Sequence, residues 1–223
     1  MSFKQNIRNL SEKILDYSRN NIISVVLRHS IREEISDKAS IRGALLTNEG
    51  KKLAYEFGTL LPKDRFIRIF HSPISRCKET AESIYEGILN NDGSCSIIGE
   101  QNFLAGAYVY EREAFINILF GLSGSEFINE WFKGRINRNI LEPPTMARYG
   151  ILKYLFQSNQ KNINEIDIHI SHDLNLILLK SFLLDVLSKD FRWPDYMEGV
   201  IFKRDEKKMI LCVEDKEKII SID

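Results

Sequence analysis

Two histidines in this chain each follow an apolar run and each stand beside a charged residue suited to phosphoryl groups. Ile22-Ile23-Ser24-Val25-Val26-Leu27 leads into Arg28-His29-Ser30-Ile31-Arg32, and Ile166-Asp167-Ile168-His169-Ile170 leads into Ser171-His172-Asp173. A third run ends in Phe70-His71-Ser72-Pro73-Ile74-Ser75-Arg76 and adds another arginine. A phosphoryl group in transfer spreads negative charge over several oxygens, and forked guanidinium groups hold it better than point charges do. Arg28, Arg32 and Arg76 suit that task. Such a cluster also disfavours a nearby imidazolium, so it keeps His29 neutral and nucleophilic. His29 could then attack phosphorus, while Asp173, beside the second histidine His172, protonates the leaving oxygen if its pKa is raised in a closed site, and later serves as base for water.

Residues so far apart in sequence meet only if the fold brings them together. In an open α/β sheet the ligand crevice lies beyond the carboxyl ends of the strands, so residues directly after two buried strands can share one site. The surrounding pattern fits such a sheet. Phe3, Ile7, Leu10, Ile14 and Leu15 predict a helix over about Phe3 to Tyr17. Thr47 caps a second helix running to Leu61 before Pro62. A strand over Phe66 to Phe70, a helix over Ser75 to Leu89, a loop at Asn90-Asn91-Asp92-Gly93-Ser94 and a short strand over Ser96 to Ile98 follow. Between Glu100 and Gln160 the pattern is helical, around Glu111 to Leu122, Ser125 to Phe132 and Thr145 to Phe156, as expected of a lobe over the crevice. The strand over Ile166 to Ile170 resumes the sheet, and a helix over Asp173 to Leu187 lies behind it. Gly199 to Lys203 and Met209 to Val213 flank Arg204-Asp205-Glu206-Lys207-Lys208 as a hairpin, with a last strand over Lys218 to Ile222. The expectation is an α/β fold: a three-layer α/β/α sandwich on a mixed, mostly parallel sheet, one domain over 1–223 with a mainly helical insertion at about 100–160.

Composition bounds the function. Lysine plus arginine equals aspartate plus glutamate at 31 each, so no long-range positive field draws the chain to nucleic acid, and any anion site is a local concentration of charge. The polar start, Met1 to Arg8, does not read as a secretory signal, and the run Leu174 to Leu187 is broken by Lys180 and Asp185 and too short for a membrane span. Cys77, Cys95 and Cys212 are odd in number and scattered, which fits a reducing compartment. A cytoplasmic protein without nucleic-acid or membrane partners is expected.

Four motifs in series resemble the histidine phosphatase superfamily, which contains the cofactor-dependent phosphoglycerate mutases and the histidine acid phosphatases. Arg28-His29-Ser30 stands where the family has Arg-His-Gly, and Leu46-Thr47-Asn48-Glu49-Gly50 is similar to its Leu-Thr-x-x-Gly helix start. Ser72-Pro73-Ile74-Ser75-Arg76-Cys77-Lys78-Glu79-Thr80-Ala81 resembles its Ser-Pro-x-x-Arg-x-x-x-Thr-Ala segment, and Ser171-His172-Asp173 the second-histidine motif of its acid phosphatase branch. The resemblance runs from about Ile22 to Leu187. It implies a phosphoglycerate mutase-like fold, His29 as the phosphorylated nucleophile, and a phosphate pocket of Arg28, Arg32, Arg76 and His172. Ser30, in place of the usual glycine, either narrows that pocket or adds a hydroxyl to it. Asp173 is the implied proton donor; the mutase branch uses a glutamate after the third strand, for which Glu111 and Glu113 are the candidates. The implied activity is a metal-independent phosphomonoester hydrolase without cofactor, acting on a small phosphorylated metabolite, with a phosphoprotein substrate left open. A phosphomutase and a noncatalytic phospholigand-binding protein are the alternatives.

Competing chemistries fare worse on the residues themselves. His29, His71, His169 and His172 with Asp173 would permit a metal site, but His169 and His172 are an odd number of residues apart, so a continuing strand would point them to opposite faces. None of the three cysteines has an arginine six positions on, and there is no Asp-x-Asp pair and no glycine-rich phosphate loop. Trp131, Phe132, Trp193 and Tyr196 read as packing residues. Tyr108, Tyr110, Arg135, Arg138 and Arg148 are candidates to meet the leaving group, and Glu198 for the site rim.

Overall fold

In a computed structural model of the chain, residues 2–18, 21–38, 40–158, 162–205 and 208–220 are described. In chain order the elements are α1 (Phe3–Ser18), β1 (Ile22–Arg28), α2 (Ser40–Gly43), α3 (Asn48–Thr59), β2 (Phe66–His71), α4 (Ser75–Leu89), β3 (Ser94–Glu100), a 3-10 turn (Asn102–Ala105), α5 (Arg112–Gly121), α6 (Gly124–Phe132), α7 (Pro144–Ser158), β4 (Glu165–Ser171), α8 (Asp173–Lys180), β5 (Gly199–Asp205), β6 (Lys208–Val213) and β7 (Lys216–Ile220). The strands form one mixed sheet in the order β3-β2-β4-β1-β5-β6-β7. β3, β2, β4 and β1 run parallel, and the terminal strands β5, β6 and β7 extend the sheet antiparallel from β1.

Strand alternation divides the interior into two cores. Ile23, Val25 and Leu27 of β1 face one side, against Ile7 and Ile14 of α1, Phe57 of α3 and Ile84 of α4. Val26, with Phe202 and Leu211, faces the other, against Trp131 of α6, Leu155 of α7 and Leu176 of α8. Burial on both faces explains why β1 and β4 read as nearly continuous apolar runs. The three-layer expectation therefore holds.

Two predicted elements differ. The strand before Gln101 is longer than its apolar centre, spanning Ser94–Glu100, because β2 supplies parallel pairing from Ser94 to Glu100 around a register shift at Ile98. The helix after Asp173 stops at Lys180 rather than continuing to Leu187. Beyond it Phe182 and Leu183 bond back three residues, to Leu179 and Lys180, so the chain tightens into turns, while Leu183, Leu184 and Phe191 still pack on the second core. Glu206, Lys207 and Ile222, in the predicted hairpin turn and last strand, lie outside the described residues.

The helix that carries Arg76 sits unusually close to its neighbour. A Cβ on Gly87 of α4 would fall 2.2 Å from the Tyr55 carbonyl oxygen of α3, and one on Gly58 would fall 2.3 Å from the Ile84 carbonyl oxygen. Gly87→Ala is expected to destabilise the fold by about 1–3 kcal/mol through this backbone clash, against a helix-propensity gain of only about 1 kcal/mol. Urea unfolding of the variant would check it; unchanged or raised stability would show that the helices can part freely.

Candidate active site

The three adjacent parallel strands β2, β4 and β1 end level with one another. Arg28 is in register with Ser171, and His71 with Ile170. Pairing continues one residue further, His29 N–H donating to Ser171 O at 3.0 Å and Ser72 N–H to Ile170 O at 3.0 Å. His29, Ser72 and His172 are thus delivered to the same end of the sheet. Helices α4 and α8 start there too, so their first turns point the same way and bring Arg76 and Asp173 with them.

Hydrogen bonds assign the tautomer of each histidine. His29 Nδ1 lies 2.8 Å from Ser30 O, which can only accept, so Nδ1 carries the proton. Its Nε2 accepts from Arg76 Nε at 3.0 Å. His172 Nδ1 accepts from Arg76 Nη2 at 3.2 Å, and its Nε2–H faces Ser72 Oγ at 3.0 Å. The two rings stand edge to face with centroids 5.5 Å apart. Arg76, 8% exposed, sends its remaining amino group to Ile41 O at 2.7 Å. Burial first, then the charges and dipoles of His172, Arg76 and Arg28, holds His29 well below its ordinary pKa. His172 is lowered by burial and Arg76 in the same way.

A strap after α8 completes the site. Arg28 pairs with Asp173 at 3.1 Å, donates to Pro194 O, and lies 4.3 Å over the Tyr196 ring. Trp193 Nε1 donates to Asp173 Oδ2 at 3.0 Å, and Leu174 N–H to Oδ1 at 2.9 Å. Burial pushes the Asp173 carboxyl up, but Arg28 and the Trp193 hydrogen bond outweigh it and leave it below the usual range. The strap is anchored by Lys180 on Glu198 Oε1 and by Asp195 N–H on Glu198 Oε2 at 2.8 Å.

Above this floor opens a cleft of about 390 Å³. Arg28, Arg32, Arg42, Arg76 and Arg112 line it, and Asp173 is the one carboxylate among the described residues that do. Arg32 is held by donating to Glu33 O at 2.7 Å.

Several sequence expectations change. Asp173 is an ionised carboxylate in this state, not one with a raised pKa, because Arg28 and two N–H donors serve its charged form. Ser30 is fully buried beneath the pocket, its hydroxyl donated to Gly50 O at 2.7 Å and its N–H to Thr80 Oγ1 at 3.1 Å, so neither group faces the cleft. A Cβ on Gly50 would meet Ile31 O at 2.0 Å, which is why this turn can sit on α3. Glu111 and Glu113 are exposed and outside the cleft lining. Of the candidates for meeting a leaving group, Tyr108 lines the cleft; Arg135 pairs with Glu130 and Arg148 lies over Phe182. Glu198 anchors the strap rather than the rim. Trp193 and Tyr196, read as packing, touch Asp173, Arg28 and His29. Ser72 was visible only as part of a motif. Cys77 lies 3.6 Å from His172 Nε2, but burial pushes its thiol up to about 12, so it is no nucleophile. Among the described residues no group of three or more metal-donor side chains is gathered, and no helix is long and apolar enough to cross a membrane.

No family model matches the chain, and no curated protein does. Solved structures do match. YhfR of Bacillus stearothermophilus is 18% identical, with a TM-score of 0.56 over 87% of this chain and 96% of that one. Phosphoglycerate mutase from Bacillus anthracis is 14% identical, with a TM-score of 0.55 over 91% and 93%. A mutant phosphoserine phosphatase from Entamoeba histolytica, solved with phosphoserine, is 16% identical, with a TM-score of 0.51 over 86% and 95%. At such identities the shared property is the fold: this chain has a phosphoglycerate mutase-like α/β fold.

His29, His169 and His172 all have folded pKa values below the ordinary 6.5, His169 at about 3 through burial and then Arg68. Their contribution to stability is therefore complete above about pH 6.5. It is lost as pH falls, because the unfolded chain takes up protons that the native state refuses, at up to about 1.4 kcal/mol per pH unit for each histidine. Urea titrations between about pH 7.5 and 5.5 should show this fall, with His169→Phe lowering the slope by about one third. A flat profile would mean the histidines protonate without cost.

Proposed function

We propose that the chain is a metal-independent phosphomonoester hydrolase that works through a phosphohistidine at His29, on a small phosphorylated metabolite. The observation that carries this is His29 Nε2: an unprotonated nitrogen held toward Arg76 at the floor of an arginine-lined cleft, its ring fixed by the Nδ1–H to Ser30 O bond. Phosphate oxygens would take Arg28, Arg32 and Arg76, with His172 Nε2–H as a further donor. Nε2 attacks phosphorus as the ester P–O bond breaks, and the leaving oxygen takes a proton from Asp173. Water then attacks phosphorus, breaks the P–N bond and returns a proton to Asp173.

Asp173 must be protonated for the first step although it is ionised in the free site. A monoester with a second pKa of about 6 can bring that proton itself. Once seated, the phosphoryl group competes for Arg28 and sets negative charge beside the carboxyl, and both effects raise its pKa. His29 stays unprotonated on the acid side because its own pKa is held down. α5 and the segment just before it, Gly106 to Val109, would supply the wall against the leaving group.

The test is hydrolysis of aryl and alkyl phosphates, with chelator, across acid to neutral pH. Activity should survive chelation, fall as pH rises above about 6 for poor leaving groups, and vanish in His29→Ala. Rapid quenching should trap an acid-labile, base-stable phosphoryl group on His29. Asp173→Asn should cost about 10²–10⁴-fold with poor leaving groups and far less with good ones. Trp193→Phe keeps the ring but removes a donor to the carboxylate, so it should shift the alkaline limb of the profile upward. Activity unchanged in His29→Ala would overturn the mechanism; phosphate binding without turnover would favour a binding protein, and transfer to an added acceptor a mutase.

A further inference from the structure

The cleft is much better furnished for an oily leaving group than for a polar one. α5 contains no buried residue, yet it carries Phe115, Ile116, Leu119 and Phe120 along the cleft. Arg112, Ile116 and Phe120 recur every four residues and so share one helix face, with Phe115 and Leu119 beside them. Phe115 and Leu119 also pack on the second core, whereas Phe120 is 43% exposed. Ile35 and Ile41 form the opposite wall, and Lys38 Nζ bonds Asn117 Oδ1 at 2.6 Å, linking that loop to α5. Apart from the two histidines at its floor, the only uncharged polar side chains lining the cleft among the described residues are Tyr108 and Asn175, both almost fully buried. Asn175 already gives its N–H groups to Leu104 O and Ser171 Oγ. Apart from the arginine N–H groups and Asn175 Oδ1, a sugar or polyol placed here would find few partners for hydroxyls that have lost water, which is costly.

We propose that this cleft takes phosphomonoesters of apolar alcohols, the alkyl or aryl group lying along α5 while the phosphoryl group sits over His29; this rests on the phosphohistidine reading above. Arg42 and Arg112 line the same cleft as Ile116 and Phe120, and make no ion pair among the described residues. Their charge draws the dianionic end of such an amphiphile into the cleft. The apolar walls then add affinity for each methylene they cover, and the volume of about 390 Å³ exceeds what a phosphoryl group alone would fill. Specificity on this view comes from the length and polarity of the alcohol, since the alkyl leaving groups are chemically alike.

The experiment uses two matched series, n-alkyl phosphates for turnover and n-alkylphosphonates, which cannot be hydrolysed, for calorimetric binding, from ethyl to octyl. The expected result is a rise of about threefold to fourfold per methylene in both kcat/KM and affinity until the walls end. Ile116→Asn and Phe120→Asn should reduce the octyl-to-ethyl ratio by about tenfold or more. A ratio measured within one variant is insensitive to the fraction of protein folded. Turnover with a flat chain-length profile overturns the proposal and leaves the phosphatase reading intact. Phosphonate affinity that rises with chain length while no phosphate is turned over supports the cleft and removes the catalytic reading. Neither binding nor turnover removes both.

Discussion

The arrangement depends on one guanidinium. Arg76 is nearly buried, and the groups its side chain touches are all neutral: His29 Nε2, His172 Nδ1 and Ile41 O. Arginine does not give up its proton, so the charge stays and each imidazole beside it must stay neutral. One donor fork therefore sets the tautomers of both rings. Neutral acceptors satisfy its N–H groups but do not cancel its charge, and no carboxylate among the described residues reaches ion-pair distance of it. A buried, hydrogen-bonded but electrically uncompensated cation is stabilised by whatever anion enters. The electrostatic cost that folding accepts at Arg76 leaves a local positive charge at the cleft in a chain whose formal net charge is +0.

The helix that carries Arg76 is placed by strand order, by close backbone approach at glycines and by two short side-chain ties. α4 begins directly after β2, and its first turn looks across the ends of β4 and β1 because those strands are the next two in the sheet. The close approach of α3 and α4 at Gly58 and Gly87 fixes α4 against its neighbour, and Gly50 lets the Ser30–Arg32 turn rest on the start of α3. Ser30 then ties that turn down through Gly50 O and Thr80, a residue of α4. The turn that follows His29 and the arginine-bearing helix are thus fastened to each other by Thr80 and to α3 by Gly50.

Much of this was legible in the sequence, for identifiable reasons. β1 and β4 are buried on both faces and so read as apolar runs, and residues that follow them line the cleft. α1, α3 and α4 each bury one stripe and leave polar residues outside, which is the pattern that periodicity detects. The strap was not legible. Arg28 meets Pro194 across 166 positions, and Trp193 reaches Asp173 across 20 with no local pattern to announce it. Aromatic residues there look the same whether they fill a core or hold a carboxylate. The end of α8 was hidden for a similar reason: apolar residues continue past Lys180, but burial of that ammonium on Glu198 fixes where the chain turns, and the partner lies on the strap. Ser30 was ambiguous because a hydroxyl's direction is a tertiary fact.

Asp173 holds two opposed requirements together. In the free site it is the single carboxylate lining the cleft among the described residues, and its pairing with Arg28 offsets part of the charge that four other arginines bring. For the proposed proton transfer it would instead have to carry a proton, which the same pairing opposes. The conflict resolves if the two states belong to different occupancies. Without substrate, Arg28, Trp193 and the Leu174 N–H favour the carboxylate; with a phosphoryl dianion present, Arg28 has a stronger partner and the neighbouring charge disfavours a second anion. The strap permits this exchange, because Arg28 has Pro194 O and the Tyr196 ring as partners besides Asp173, and Asp173 has Trp193 and the Leu174 N–H besides Arg28. Neither partner is then left without a hydrogen bond when the ion pair loosens, so the proton affinity of Asp173 can follow occupancy of the cleft rather than bulk pH alone.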